Sequence, residues 1–199
     1  MVPGNRARRE AAGWLPAEQL GQWPVDALLR PWLIAKGLLT LRLRAACGGR
    51  FELRLCDQHS GPLSMEHRRY LSSRDNAGLF REVQMSCGGL VWVFAQTIMP
   101  DSTLDAHPWL AELGEAALGE TLADLSDVRR SSYEYAWLPA DEPLAQRALR
   151  GVAPRPEGLW ARRSRFWLRS APFMVQELFL PAMGDCRGTP DGAAATLGG

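Results

Sequence analysis

The chain has 199 residues, a formal net charge of +1, and a composition that is 46% hydrophobic and 23% charged. That length supports one domain with a full hydrophobic core and is too short for two large ones. A balance so close to neutral excludes bulk electrostatic attraction to nucleic acid or to an anionic membrane surface. Lys36 is the one lysine among 23 basic residues, so an anion site has to be built from arginine, whose planar fork grips a carboxylate by two parallel bonds.

The four cysteines, Cys47, Cys56, Cys87 and Cys186, show no C-x-x-C spacing, and His59, His67 and His107 do not complete a recognisable metal set. No metal and no cofactor is expected. The first 30 residues combine no basic start with a continuous apolar core, and no apolar run is long enough to cross a bilayer. These features predict a cytoplasmic protein without stable membrane insertion, with its cysteines as free thiols.

Residues 1–13 read as a flexible N-terminal tail. From Pro16 to Leu33 apolar residues recur at helical spacing, broken at Pro24 and Pro31, which gives one or two short helices. Thr40–Arg44 and Phe51–Leu55 alternate about Gly48-Gly49 and read as a hairpin. Residues 57–76, rich in Gly, Pro, Ser, Asp and His, read as a long connection over the sheet. A second hairpin, Phe80–Ser86 with Leu90–Ile98, turns at Cys87-Gly88-Gly89 and closes at Pro100. Asp101-Ser102-Thr103 is a helix start, followed by a helical stripe from Leu104 to Leu125 interrupted near Gly114 and Gly119. Arg130–Trp137 is strand-like and Asp141–Arg150 a short helix. Arg165–Arg169 and Phe173–Leu180 are the last strands, and residues 184–199 form a disordered C-terminal tail. The whole predicts a single α+β domain over 14–183: a mainly antiparallel sheet of about six strands with helices packed against it.

Two residues break strand alternation. Glu177 shares a face with Phe173, Val175 and Phe179, and Arg81 shares one with Leu79, Val83 and Met85. An ionised group on an apolar face has to be paired or hydrogen-bonded. Opposite charges so placed form either a structural ion pair or the two ends of a ligand pocket, and spacing alone favours the former. Other signals read blandly. Arg162-Arg163-Ser164-Arg165 with Trp160 and Trp167 reads as a solvated loop and strand start ahead of a nucleic-acid surface. Ser102 and Ser164 lack a nucleophile-elbow context, and the paired glycines are turns, not phosphate loops.

Resemblance separates the two readings of Glu177. Gly158-Leu159-Trp160-Ala161-Arg162-Arg163-Ser164-Arg165, followed by Glu177-Leu178-Phe179-Leu180-Pro181-Ala182, is similar to the C-terminal signature of the chorismate lyase (chorismate–pyruvate lyase) family. Leu79-Phe80-Arg81-Glu82-Val83, then Thr97-Ile98-Met99-Pro100 with Ser102-Thr103-Leu104, and Leu113-Gly114 with Leu118-Gly119, match in the same order from about Leu20 to Ala182.

The resemblance implies an enzyme that converts chorismate into 4-hydroxybenzoate and pyruvate, at the start of ubiquinone biosynthesis, without cofactor. It implies that Arg81 grips the ring carboxylate and that Glu177 faces the 4-hydroxyl. Leu39, in Leu38-Leu39-Thr40 where the family often has Ser-Met-Thr, and Leu118 are implied to bind substrate through backbone N–H groups. Gln96 stands where the family often has Arg, which predicts weaker substrate capture or reliance on Arg129 or Arg130. Arg81 and Glu177 should then lie about 6 to 8 Å or more apart, and not at the roughly 3 Å of a hydrogen bond. A monomer with no nucleic-acid partner is expected. The alternative is a small-molecule (aromatic acid) sensing module of similar fold without catalysis, although residues 1–30 contain no helix-turn-helix pattern.

Overall fold

Long strands with strict alternation dominate the chain, and a computed structural model describes residues 13–185. The two expected tails lie almost wholly outside that range. In order, the elements are β1 (Leu15–Pro16), a 3-10 segment (Ala17–Gln22), α1 (Arg30–Ile34), α2 (Leu39–Cys47), β2 (Phe51–Pro62), α3 (Met65–Leu71), β3 (Ala77–Cys87) and β4 (Leu90–Pro100). Then come α4 (Asp101–Ala106), a 3-10 segment (Pro108–Glu112), α5 (Leu118–Ala123), β5 (Val128–Arg130), β6 (Glu134–Pro139), α6 (Pro143–Ala148), β7 (Gly158–Leu168), β8 (Ala171–Phe179) and a last 3-10 turn (Pro181–Asp185).

The strands form one sheet in the order β1-β6-β7-β8-β4-β3-β2, with β5 also on β7. Every pairing is antiparallel. The α+β class and the antiparallel sheet agree with the sequence; β1 and β5, of two and three residues, are too short to carry a period.

Each sheet face buries its own core. On one face Val83, Met85, Val93, Ala95, Trp160 and Phe179 meet Trp32, Leu33, Leu39 and Leu43 of α1 and α2. Leu79, Met99 and Phe173 on the same face meet the stretch from Leu110 to Leu122. On the other face Phe94, Leu159, Ala161 and Leu178 pack on α6, and Phe80, Ile98 and Met174 on Leu63 and Leu71.

Three expectations need correction. Residues 40–44 are not a strand. Leu39, Leu43 and Cys47 are buried at a spacing of four, and this helical stripe competes with the alternation of Leu39, Leu41 and Leu43. Gly48 then ends α2 in the left-handed region (φ 60°), its N–H bonded to Arg44 O.

Residues 57–76 are not a loop. β2 runs to Pro62, pairing along β3 as far as Ala77 with a shift at Leu55/Asp57, and α3 follows with a Ser64–His67 capping box. β2 is an edge strand, where polar residues, Gly and Pro are tolerated, which is why its composition reads as a connection.

Cys47 and Cys87 are not free thiols. The last residue of α2 lies over the end of β3, with Cα atoms 5.6 Å apart, and the two are joined as a disulfide. Cys56 is free and exposed. No helix among the described residues is long and apolar enough to cross a membrane.

Candidate active site

The first of the two core-bearing faces also opens into a cavity. Its floor is Arg81, Val83 and Met85 of β3, Ala95 and Thr97 of β4, and Val175 and Glu177 of β8. Its roof is Gly37 to Thr40, at the start of α2, and Ala117 to Gly119, at the start of α5. Phe166 and Arg130 close one wall. The space enclosed between floor and roof is about 70 Å³. The roof helices are tied by an Arg44–Glu120 ion pair of 2.8 Å, and a side chain at Gly119 would meet Leu38 at 3.3 Å.

All four residues singled out in the sequence, Arg81, Glu177, Leu39 and Leu118, line this one cavity. The register sets their spacing. Arg81 pairs with Thr97, which pairs with Val175, so Glu177 lies two strands across and two residues along. Two strand spacings of about 4.8 Å and two residues of about 3.3 Å put the Cα atoms about 12 Å apart, with both side chains on the same face.

Arg81 is 1% exposed. Its Nη2 donates to the carbonyls of Gly114 and Ala116, each at 2.8 Å, while its Nε is buried without a hydrogen-bond partner among the described residues. No ion pair among the described residues includes it. Burial lowers its pKa, yet a guanidinium stays charged at neutral pH. The left-handed Gly114 (φ 52°) turns the chain so that its carbonyl faces Arg81.

Glu177 does not pair with Arg81; its partner is a residue the sequence did not propose for it. Arg162, its cross-strand neighbour on β7, donates from Nε to Glu177 Oε2 at 2.5 Å. Arg162 is wholly buried, and its Nη1 also donates to the carbonyls of Trp32, Leu33 and Ala35 at 2.9–3.1 Å. It therefore caps the C-terminal end of α1, where carbonyls lack helical donors. Burial alone lowers the pKa of Arg162, but the Glu177 carboxylate outweighs it and holds that pKa above the ordinary guanidinium value. Glu177 keeps part of its side chain open to the cavity, at 15% exposure. The carboxylate is thus fixed from behind by Arg162 and faces the cavity in front.

The solvated reading of residues 162–165 fails on this count. β7 begins at Gly158, and Arg163 is buried against Trp14 and Tyr70, pairing with Glu66 and Glu134. Consecutive arginines in a central strand face opposite sides, and each finds acids that are distant in sequence. Arg162 is the partner of Glu177 that sequence reasoning missed. The available signal was its shared alternation with Trp160 and Phe166, both core residues.

Gln96 also needs correction. It points to the opposite sheet face, where it donates to Glu82 at 2.8 Å and accepts from Gln176 at 3.1 Å, and Arg147 completes the network at 2.6 Å from Glu82. Gln96 does not line the cavity. Of the two arginines considered in its place, Arg129 stacks on Trp167 outside the cavity, whereas Arg130 lines it. Leu39 and Leu118 are each the first residue of a helix, where backbone N–H groups have no helical acceptor. Among the described residues no three His, Cys, Asp or Glu side chains gather as a metal set.

A cavity on an antiparallel sheet, with a buried guanidinium lacking a counter-ion at one end and an anchored carboxylate at the other, has the form of a small-molecule site. Residues 9–185 match the family described as chorismate lyase, and the chain belongs to that family. A relative from Azoarcus sp. (strain BH72), named "Probable chorismate pyruvate-lyase", is 37% identical over 82% of this chain and 87% of its own. One of the same name from Nitrosospira multiformis is 32% identical, covering 84% and 97%. Among solved structures, the PhnF C-terminal domain aligns at a TM-score of 0.54 with 16% identity, covering 74% of this chain and 89% of that one. The C-terminal domain of the histidine utilization repressor from Pseudomonas syringae pv. tomato aligns at 0.52 with 9% identity, covering 67% and 94%. These two likenesses concern the fold alone.

Proposed function

We propose that this chain converts chorismate into 4-hydroxybenzoate and pyruvate. The observation that carries the proposal is Arg81: a buried guanidinium with no acidic partner, on the floor of a cavity whose far side holds Glu177. A buried cation is costly unless matched, so a ligand carboxylate is the natural complement. Arg81 takes the ring carboxylate by charge-assisted bonds, and the first-turn N–H groups of Leu39 and Leu118 donate from the roof. Glu177 meets the 4-hydroxyl at the opposite end of the ring. Its ion pair with Arg162 sets its orientation, which a proton-accepting or positioning group needs more than it needs mobility.

The reaction asks little covalent work of the protein. The C4 hydrogen and the enolpyruvyl group on C3 leave together, the ring becomes aromatic, and the enol tautomerises to pyruvate. The apolar floor of Val83, Ala95 and Val175 excludes water and holds the side chain in a reactive conformer. By the family's role the product feeds ubiquinone biosynthesis, and we place the protein in the cytoplasm as a monomer that needs no cofactor, nucleic acid or membrane partner. Incubating the purified protein with chorismate and following pyruvate and 4-hydroxybenzoate tests the reading. Turnover that Glu177→Gln and Arg81→Met both abolish is expected. Binding of 4-hydroxybenzoate without any pyruvate release identifies a sensor instead, and near-normal turnover in both variants removes the residue assignments.

A further inference from the structure

The reaction proposed above leaves one cation of the cavity without a task. Arg130 closes β5 and lines the wall beside its pairing partner Phe166. Its Nη1 donates to Gly37 O at 3.2 Å and to the Tyr133 hydroxyl at 2.8 Å, and its guanidinium lies 4.6 Å from the Tyr133 ring centroid. No ion pair among the described residues includes Arg130. Arg162, which holds Glu177, lies over the same Tyr133 ring at 4.3 Å. Tyr133 therefore groups Arg130 with the Glu177 end of the cavity, on the side of β7 and away from Arg81 on β3.

Charge and geometry agree on what belongs there. Glu177 is matched by Arg162, so Arg81 and Arg130 remain as two uncompensated guanidiniums, and chorismate carries two carboxylates. The ring carboxylate on C1 and the hydroxyl on C4 are para to each other, while the enolpyruvyl ether on C3 is adjacent to C4. With the C1 carboxylate on Arg81 and the C4 hydroxyl at Glu177, the ether emerges at the Glu177 end.

The geometry points to Arg130 as the residue that binds the enolpyruvyl carboxylate of the substrate, an assignment that rests on the lyase reading. It gives Arg130 a part in the chemical step. As the C3–O bond breaks, its electron pair goes to the ether oxygen, and the C4–H pair forms the last ring double bond. The C4 proton ends on the departing enol, which becomes pyruvate. A guanidinium held beside that carboxylate offsets the negative charge growing on the leaving oxygen. It also makes the site selective for acids that carry a second carboxylate, since the ring product has none at this end.

The test compares two ligands that differ by that carboxylate. In Arg130→Met, kcat/KM for chorismate is expected to fall by about 100-fold while the Kd of 4-hydroxybenzoate, measured by calorimetry, stays within about twofold. Arg130→Lys, which keeps the charge and loses the fork, is expected to lose about tenfold on chorismate only. It carries the comparison if the methionine variant does not fold. Equal weakening of both ligands, alongside a lowered Tm, makes Arg130 merely structural and overturns the proposal; so does unchanged kcat/KM. If the wild type releases no pyruvate, the lyase reading has failed. The Kd values of chorismate and 4-hydroxybenzoate then still decide whether Arg130 discriminates between them.

Discussion

Replacing Arg162 by methionine removes a wholly buried cation that donates four hydrogen bonds: to the Glu177 carboxylate at 2.5 Å and to the carbonyls of Trp32, Leu33 and Ala35. Methionine fills much of the volume but donates nothing. The carboxylate is left largely desolvated, and three carbonyls around the end of α1 lose their donor. Breaking a buried pair from one side typically costs about 3–5 kcal/mol, a large share of a net stability of about 5–15 kcal/mol. Glu177→Gln costs less, because the amide oxygen still accepts from Arg162 and the carbonyl contacts persist. The double variant removes the stranded carboxylate, so its loss should fall short of the sum of the singles by about 1–3 kcal/mol. Urea unfolding of the four proteins, with slopes compared to check two-state behaviour, measures the cycle. A loss below about 1 kcal/mol in Arg162→Met, or strict additivity, refutes the anchoring role of Arg162.

Arg81→Met should behave differently: the lost donors to the Gly114 and Ala116 carbonyls are offset by removing a buried cation that has no counter-ion, so the stability loss is expected to be well below that of Arg162→Met while 4-hydroxybenzoate binding falls by about 100-fold. A stability loss as large as that of Arg162→Met argues against a site kept for a ligand. Burial lowers the pKa of His67 below its ordinary value of 6.5, so the unfolded chain takes up the extra proton first. The stability contribution is then fully present above the unfolded value and is lost as pH falls through the folded one. His67→Gln should flatten the decline of the urea midpoint as pH falls below the ordinary histidine value of 6.5; an unchanged acid limb refutes the assignment. Cys47 and Cys87 are 40 residues apart, and opening that loop in a Cys47→Ser/Cys87→Ser variant, or by reduction, should cost roughly 3–4 kcal/mol. Equal Tm values with and without reductant show that the bridge does not form in solution.

The sequence by itself determined the antiparallel α+β class, the hairpin of β3 and β4, and the two charged residues on an apolar face. Alternation is a local property, written in every second residue. It placed Arg81 and Glu177 inward, and the resemblance added Leu39 and Leu118 to the same cavity. What it lacked was the third dimension of each contact. Leu39, Leu41 and Leu43 satisfy a strand period, while Leu39, Leu43 and Cys47 satisfy a helical one, and packing over β3 decided between them. β2 looked like a loop because an edge strand needs polar residues. Gln96 looked like part of the substrate path until the pleat turned it to the other face. Only the tertiary structure joined Arg162 to Glu177, because β7 and β8 meet through a turn whose register no local pattern states, and because the carbonyls that Arg162 caps lie about 130 residues earlier in the chain. Side-chain direction is legible residue by residue, whereas the partner of a buried charge is chosen by how distant segments close on one another.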